Sequence, residues 1–416
     1  MIPRCVRIAG LVALLGLGPS TVLAFETVDT MLWPSSGAFP AYPGDEPRPW
    51  GLRAYAGTMY DTNVTRIPVN ERSDWITRVG LGANYAARVY GRQSVVLDAY
   101  GEYRDYQEIN NLDHFAYGTT AEWLWEVGNS LAGTAGWRRV HRLAELSESL
   151  VRRKQMITED RLDLGGGYIL TPDFRLTGGV GALHVDRDNT ASEVATIDSW
   201  AARGGIQYVS TLGNTLGVEV RYGEGDAPLD SPDVGIFFPT NRYTARDVAL
   251  TAAYVLSPDL RLRGRLGQSK REYTDLPGSN FEGTTGRGAL EWRLGVKTLA
   301  VVEAFRQADP IIDANAVHVD RRGVVVGVNW AATVKLVFGA RYTHERRIYE
   351  GVTAVAAATG LPPQDDTLHL WRFNVGWEPE RHWQLSGSLD FGDRESNILG
   401  QNYDYTAATV NLRYSF

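Results

Sequence analysis

The chain has 416 residues, with 42 basic against 49 acidic side chains and a formal net charge of −7. That balance excludes a general nucleic-acid binder, which needs a surplus of Lys and Arg to neutralise phosphates. Cys5 is the one cysteine, so internal disulfides and thiolate metal clusters are excluded. No apolar run after the N-terminus approaches the roughly 18 residues that a spanning helix requires.

In chain order, residues 1–24 read as a secretory signal. Arg4 and Arg7 precede an apolar stretch from Ile8 to Leu17, and Val22-Leu23-Ala24 offers a small-residue cleavage site. Cys5 falls inside that signal, which leaves the exported chain without a thiol. Residues 25–49 contain Pro34, Pro40, Pro43, Pro47 and Pro49 with no periodicity, and read as an irregular periplasmic leader or a plug.

From 50 to 416 the pattern becomes repeated alternation of apolar and polar residues. "WGLRAYAGTMY" is followed by a long polar gap, "ITRVGLGANYAARV" only by Tyr90-Gly-Arg-Gln93. "VVLDAYGEYR" precedes another long gap, and "TTAEWLWEV" precedes Gly128-Asn-Ser130. Short gaps rich in turn residues recur at 171–173, 211–214, 257–259, 295–297, 331–333 and 378–381. Alternation of tight and long connections over about 18 strands predicts an all-β, transmembrane, antiparallel up-and-down β-barrel. Its turns are short on the periplasmic side and its loops long on the outside.

Side-chain parity supports this. "RHWQLSGSLDF" puts Trp383, Leu385, Leu389 and Phe391 on one face and Gln384, Ser386, Ser388 and Asp390 on the other. Trp50, Trp123, Trp125, Trp200, Trp292, Trp330, Trp377 and Trp383 stand near segment ends, where interfacial girdles form. The final segment, "TAATVNLRYSF", places Ala408, Val410, Leu412, Tyr414 and Phe416 on one parity, as a lipid-facing last strand requires. One segment is ambiguous, because Glu303 shares parity with Val301 and Phe305.

The two ends of the predicted barrel carry the most specific motifs. "GTMYDTNVTR" supplies Tyr60, Asp61 and Asn63; "FGDRESNILGQNYDYTAATVNLRYSF" supplies Arg394, Ser396, Asn397, Tyr403, Tyr405 and Phe416. These motifs resemble those of the beta-barrel porin 2 superfamily, in its branch of EpsL-type, exosortase-associated exopolysaccharide outer-membrane proteins. The resemblance implies a role in polysaccharide export, with the polymer as substrate and periplasmic export machinery as partner. It implies no catalytic residue. Physically, Asx and Ser side chains at strand ends also close local turns, so the same residues can staple the seam between first and last strands.

The inward parity is rich in arginine, including Arg261, Arg263, Arg265, Arg341, Arg372 and Arg413, with Tyr55, Tyr100 and Tyr405 on the same face, placed either to stack on sugar rings or to fill space. Two readings stand side by side. The arginines pair with inward acids such as Asp98, Glu102, Glu219, Glu291 and Asp390, or they form a ladder guiding an anionic chain through the lumen. The gap from Arg139 to Asp160 spaces Val140, Leu143, Ala144, Leu146, Leu150 and Val151 roughly as a helix does. It is expected to be the third external loop, either folded in as a constriction helix or present as a freely protruding loop or strand extension. Acidic loop residues Asp226, Asp230, Asp233, Asp365 and Asp366 are candidate partners for cations bridging surface lipids, without EF-hand spacing. The histidines are scattered and no hydrolase motif is present, so no cofactor, metal or enzyme activity is expected.

Taken together, the expectation is an outer-membrane barrel in contact with lipid that exports a polysaccharide. A general or anion-preferring diffusion porin is the alternative, and a surface enzyme or adhesin a third.

Overall fold

The computed structural model describes residues 50–416 apart from 145, 147–153, 189–195, 227–241, 275–276, 314–315 and 352–361. The alternating segments are all strands. The first six are β1 (Trp50–Asp61), β2 (Asp74–Tyr90), β3 (Gln93–Tyr106), β4 (His114–Val127), β5 (Leu131–Leu143) and β6 (Met156–Thr171). Next come β7 (Phe174–Arg187), β8 (Thr196–Val209), β9 (Thr215–Asp226), β10 (Tyr243–Ser257), β11 (Leu260–Tyr273) and β12 (Phe281–Leu294). The series ends with β13 (Thr298–Asp313), β14 (Ala316–Ala331), β15 (Leu336–Glu350), β16 (Asp365–Glu380), β17 (Trp383–Ser396) and β18 (Tyr403–Ser415).

Each strand pairs antiparallel with its neighbours in sequence, and β1 pairs with both β2 and β18, closing an 18-stranded barrel. Closure is what lets a sheet cross lipid, because an open edge would leave backbone N–H and C=O groups without partners.

The outer face is apolar and exposed. Leu81, Leu162, Val220, Leu250, Leu266 and Val410 are each more than half exposed, an arrangement that water would penalise and lipid rewards. Two aromatic girdles bound this band. On the periplasmic side Trp330 stacks on Phe338 at 5.6 Å, and Trp383 lies 4.7 Å from Tyr414. On the external side Tyr60 lies 5.1 Å from Trp75, and Trp200 lies 5.8 Å from Tyr222. Trp50 and Tyr60 open and close the outward column of β1. Ten residues of strand at about 3.3 Å each, tilted by about 40°, give a band about 25 Å tall. That is the hydrocarbon thickness of an outer membrane, and this chain is an outer-membrane barrel.

The ambiguous segment resolves simply. On β13 the exposed lipid-facing residue is Val302 (42%), so Val301, Glu303 and Phe305 all face inward, and Glu303 is 5% exposed. Glu303 accepts a hydrogen bond from Arg287 Nε at 2.7 Å. The apolar inward neighbours disguised a polar face.

Three expectations need correction. Val140 and Leu143 belong to β5, where Val140 is paired with Glu159, so the strand-extension alternative holds there and the helical one does not. Of that loop's interior, residues 145 and 147–153 lie outside the described residues, but Leu146 packs on the inner wall against Ile76, Tyr106, Ile109 and Leu112. External connections are not uniformly long: β13 ends at Asp313 and β14 begins at Ala316, as tight as any periplasmic turn. Asp365 and Asp366 are strand residues rather than loop residues, and both are bonded to arginine, while Asp230 and Asp233 lie outside the described residues.

The C-terminus is held at the seam. The Phe416 amide donates to the Leu52 carbonyl oxygen at 2.9 Å, and Tyr414 packs at 4.9 Å from the Phe416 ring. Deleting Tyr414 to Phe416 removes one end of the β1–β18 ladder and its girdle aromatics. Heat-modifiable, membrane-inserted protein is expected to fall severalfold on gels; normal insertion would contradict this assignment of the final strand.

Candidate functional site

The inward face is a wall of paired charge. Arg53 makes a two-pronged contact with Asp98 at 2.6 and 2.8 Å. Glu102 accepts from Arg104 Nε at 2.6 Å and from the Tyr55 hydroxyl at 3.0 Å. Arg221 donates to Asp247, Arg265 to Glu219 and Arg263 to Glu291. Farther round, Arg372 donates to Asp390, Arg321 grips Glu345 with Nε at 2.7 Å and Nη2 at 2.9 Å, and Arg347 shares that carboxylate. Guanidinium suits this because its planar fork holds one carboxylate and still presents donors to a second. The chain's near-exclusive use of arginine, with lysine only at 154, 270, 297 and 335, therefore has a structural use.

Two of the three arginines in the predicted β11 row, Arg263 and Arg265, are thus held by acids, and so is Arg372. Arg413 faces inward opposite Tyr55 across the seam. Arg261, Arg293 and Arg341 differ: they are exposed to the lumen and form no ion pair with a carboxylate among the described residues. On the β14 side of Arg341 the wall is bare, while Arg372 stands opposite it on β16. Gly327 is its cross-strand neighbour, and a Cβ there would meet nothing nearer than the Ala340 carbonyl oxygen at 3.9 Å. On the far side of the barrel Glu122 and Asp163 flank the β5 backbone at Gly136, also without an ion pair among the described residues.

The inward tyrosines lie flat on glycines. Tyr55 covers Gly80 and Tyr100 covers Gly118, each so closely that a Cβ would reach within 2.4 Å of the ring. A ring laid over a glycine shields exposed backbone in a curved sheet. This accounts for where Tyr55 and Tyr100 sit without invoking a bound sugar.

The two family-like motifs meet at the seam. Asp61 Oδ1 accepts from the Asn63 amide at 2.9 Å and from Arg66 Nη1 at 2.8 Å; Oδ2 accepts from Arg66 Nη2 at 2.8 Å. Arg66 in turn lies 3.6 Å above the Tyr405 ring, whose other face covers Gly392. Asn63 Nδ2 donates to the Ile67 and Asp404 carbonyl oxygens at 2.9 and 3.0 Å, and Thr406 N donates to Thr62 Oγ1 at 2.9 Å. Burial opposes the Arg66 charge, but the Asp61 bonds outweigh it and raise the guanidinium pKa. Tyr60 faces outward into the external girdle, and Tyr403 pairs with Arg394 in the β17–β18 ladder.

The second motif binds the external ends of β16, β17 and β18. Arg394 pairs with Asp366. Asn397 accepts from the Asp365 amide at 2.8 Å and donates to the Pro363 carbonyl oxygen at 2.8 Å. Ser396 Oγ accepts from the Ile398 amide at 3.2 Å. Arg66 is the member sequence reading missed. Its signal was the acid five residues before it, at the end of a strand whose partner carries an inward tyrosine.

Among the described residues no group of three His, Asp or Glu side chains is arranged to hold a metal ion. The fold and this lumen define a class, a closed outer-membrane barrel with a polar, arginine-rich interior. No protein-family model matches the chain, and no curated protein matches it in sequence. Among solved structures it is similar to the outer-membrane protein OpdK of Pseudomonas aeruginosa, with 12% identity and a TM-score of 0.48, over 88% of this chain and 99% of that one. It is also similar to a BenF-like porin from Pseudomonas fluorescens Pf-5, with 10% identity and a TM-score of 0.48, over 88% and 99% of the two chains. OccK2 (OpdF) of Pseudomonas aeruginosa in complex with glucuronate matches at 13% identity and a TM-score of 0.46, over 88% and 98%.

The seam cluster makes a direct forecast. Asp61 is 3% exposed, so Asp61→Ala leaves Arg66 as a buried cation without its carboxylate. Removing one partner of such a pair costs about 3–5 kcal/mol, and the midpoint of heat modification on gels is expected to drop accordingly. An unchanged midpoint would show that the seam does not depend on this cluster.

Proposed function

We propose that the protein is a diffusion porin for small hydrophilic solutes with a preference for anions. The observation that carries this reading is the uneven outcome of charge pairing. On the wall from β10 to β17, Asp247, Glu291, Glu303, Asp309, Glu345, Asp366 and Asp390 are each bonded to an arginine. Arg261, Arg293 and Arg341 remain exposed and form no ion pair among the described residues, Glu303 acting on Arg341 only from beyond bonding distance. The net field along that wall is positive.

Magnitudes limit the selectivity. Strands about 4.8 Å apart and tilted by about 40° put opposing walls of an 18-stranded barrel about 35 Å apart, backbone to backbone. The Debye length at physiological salt is about 8 Å, so wall charges act on solutes near them rather than across the whole lumen. A preference of about threefold fits such a channel better than strict exclusion.

Polysaccharide export, implied by the motif resemblance, ranks behind this reading. Asp61, Asn63, Arg394 and Asn397 are committed to seam and loop bonds, so they need no polymer to account for them. Dependence on periplasmic export machinery has no support of its own.

In planar bilayers with a salt gradient, the wild-type barrel is expected to show a reversal potential favouring chloride. The R261Q/R293Q/R341Q variant keeps size and polarity, and should shift that potential toward cations. No conductance in the wild type, or an unaltered potential in the variant, would overturn the proposal. A loss of secreted polymer in the variant, with ion selectivity unchanged, would favour export instead.

A further inference from the structure

The outer face of β13 to β15 carries a feature that neither the lumen nor the seam uses. Arg306, Arg322 and Arg346 are direct cross-strand neighbours, in one row across three strands. Like charges placed opposite one another destabilise a sheet unless counter-charge is supplied. Two carboxylates supply part of it. Asp320 accepts from Arg306 Nη2 and Arg322 Nη2, both at 2.8 Å, and Asp365 accepts from Arg346 Nε at 2.9 Å. All these bonds use Nε and Nη2, so among the described residues the Nη1 atoms of the three guanidiniums have no hydrogen-bond partner. Their side chains are 39%, 48% and 52% exposed.

Height decides what that row meets. Below Arg322, toward the periplasm, the outward column of β14 reads Val324, Val326, Val328 and then Trp330 in the girdle. Eight residues separate Arg322 from Trp330, and at about 3.3 Å per residue and a 40° tilt this rise is about 20 Å. The arginine backbone therefore lies just below the external girdle, and the long side chains reach from there to the outer headgroup level. The valines beneath them are short and branched at Cβ, and give the smooth surface along which acyl chains pack.

We propose that this column is a binding site for a phosphorylated lipid of the outer leaflet. The phosphate is held by the open edges of Arg306, Arg322 and Arg346, and the acyl chains lie on the valine stripe. Guanidinium is the side chain that pairs best with phosphate oxygens. A bound phosphate also adds negative charge beside three cations that share two directly bonded carboxylates, with Glu350 acting on Arg306 only from beyond bonding distance. The site is on the lipid face and does not depend on what the lumen conducts.

The test uses the full barrel in detergent with bis-phosphorylated lipid A as the probe, and the same lipid without its phosphates as the comparison. Binding is read by mass spectrometry of the intact complex. Wild type should retain the phosphorylated lipid, and R306Q/R322Q/R346Q should lose about a hundredfold in apparent affinity, about fivefold for each arginine. R246Q/K270Q alters another outward basic pair on β10 and β11, and should bind as wild type does. Should the triple variant fail to insert, R322Q alone is measured, with about a fivefold loss expected. Equal retention by wild type and the Arg322 variants, or equal retention of the dephosphorylated lipid, overturns the site.

Discussion

Every part of this molecule answers to one requirement: no backbone polar group in the lipid layer can be left without a partner. An antiparallel sheet meets it only by closing, and closing joins the two ends of the sequence, β1 and β18. The rest follows in order. Closure makes one face lipid-exposed and the other enclosed, so alternate residues must be apolar outside and polar inside. A polar interior of this size needs charge, and charge in a half-buried wall needs pairing. Tyrosines laid over glycines cover backbone that curvature would expose.

Pairing explains why arginine dominates. A buried ion pair is costly to desolvate and is retained only where geometry and extra hydrogen bonds compensate. Arg321 shows the solution: one guanidinium donates to both carboxylate oxygens of Glu345 and also to Asp309 at 3.2 Å. A lysine ammonium has no planar fork to do this. Pairing is dense toward the external mouth and thinner toward the periplasm, where Arg261 and Arg293 stand near the turns. The channel's electrostatics are what remains after the wall has satisfied itself.

Much of this was legible in the residues, and the reasons are physical. The period of two and the tight turns are local, so strand number, parity and the girdle tryptophans could be read directly. Turn chemistry also placed the eight periplasmic connections. Glu303 misled because Val301 and Phe305 are apolar yet face the lumen, and parity alone cannot say which face is which. The external β13–β14 connection misled because loop length is free to vary outside the membrane. Which arginines are free was not legible at all. Arg263 and Arg341 look alike in sequence, and differ because Glu291 lies within reach of one while Gly327 borders the other. That depends on register across strands far apart in the chain.

The central claim is that the wall beside Arg341 is water-filled and positive. Gly327 offers a direct probe, since its side-chain position opens on the lumen next to that arginine and the chain's one native cysteine is at position 5. In Gly327→Cys, with Arg341 kept, the rates of modification by an anionic and a cationic thiol reagent of equal size are compared and normalised to a free thiol. The account predicts that the anionic reagent reacts several times faster, and that adding Arg341→Gln removes the difference. Equal rates, or no reaction with either reagent, would contradict it.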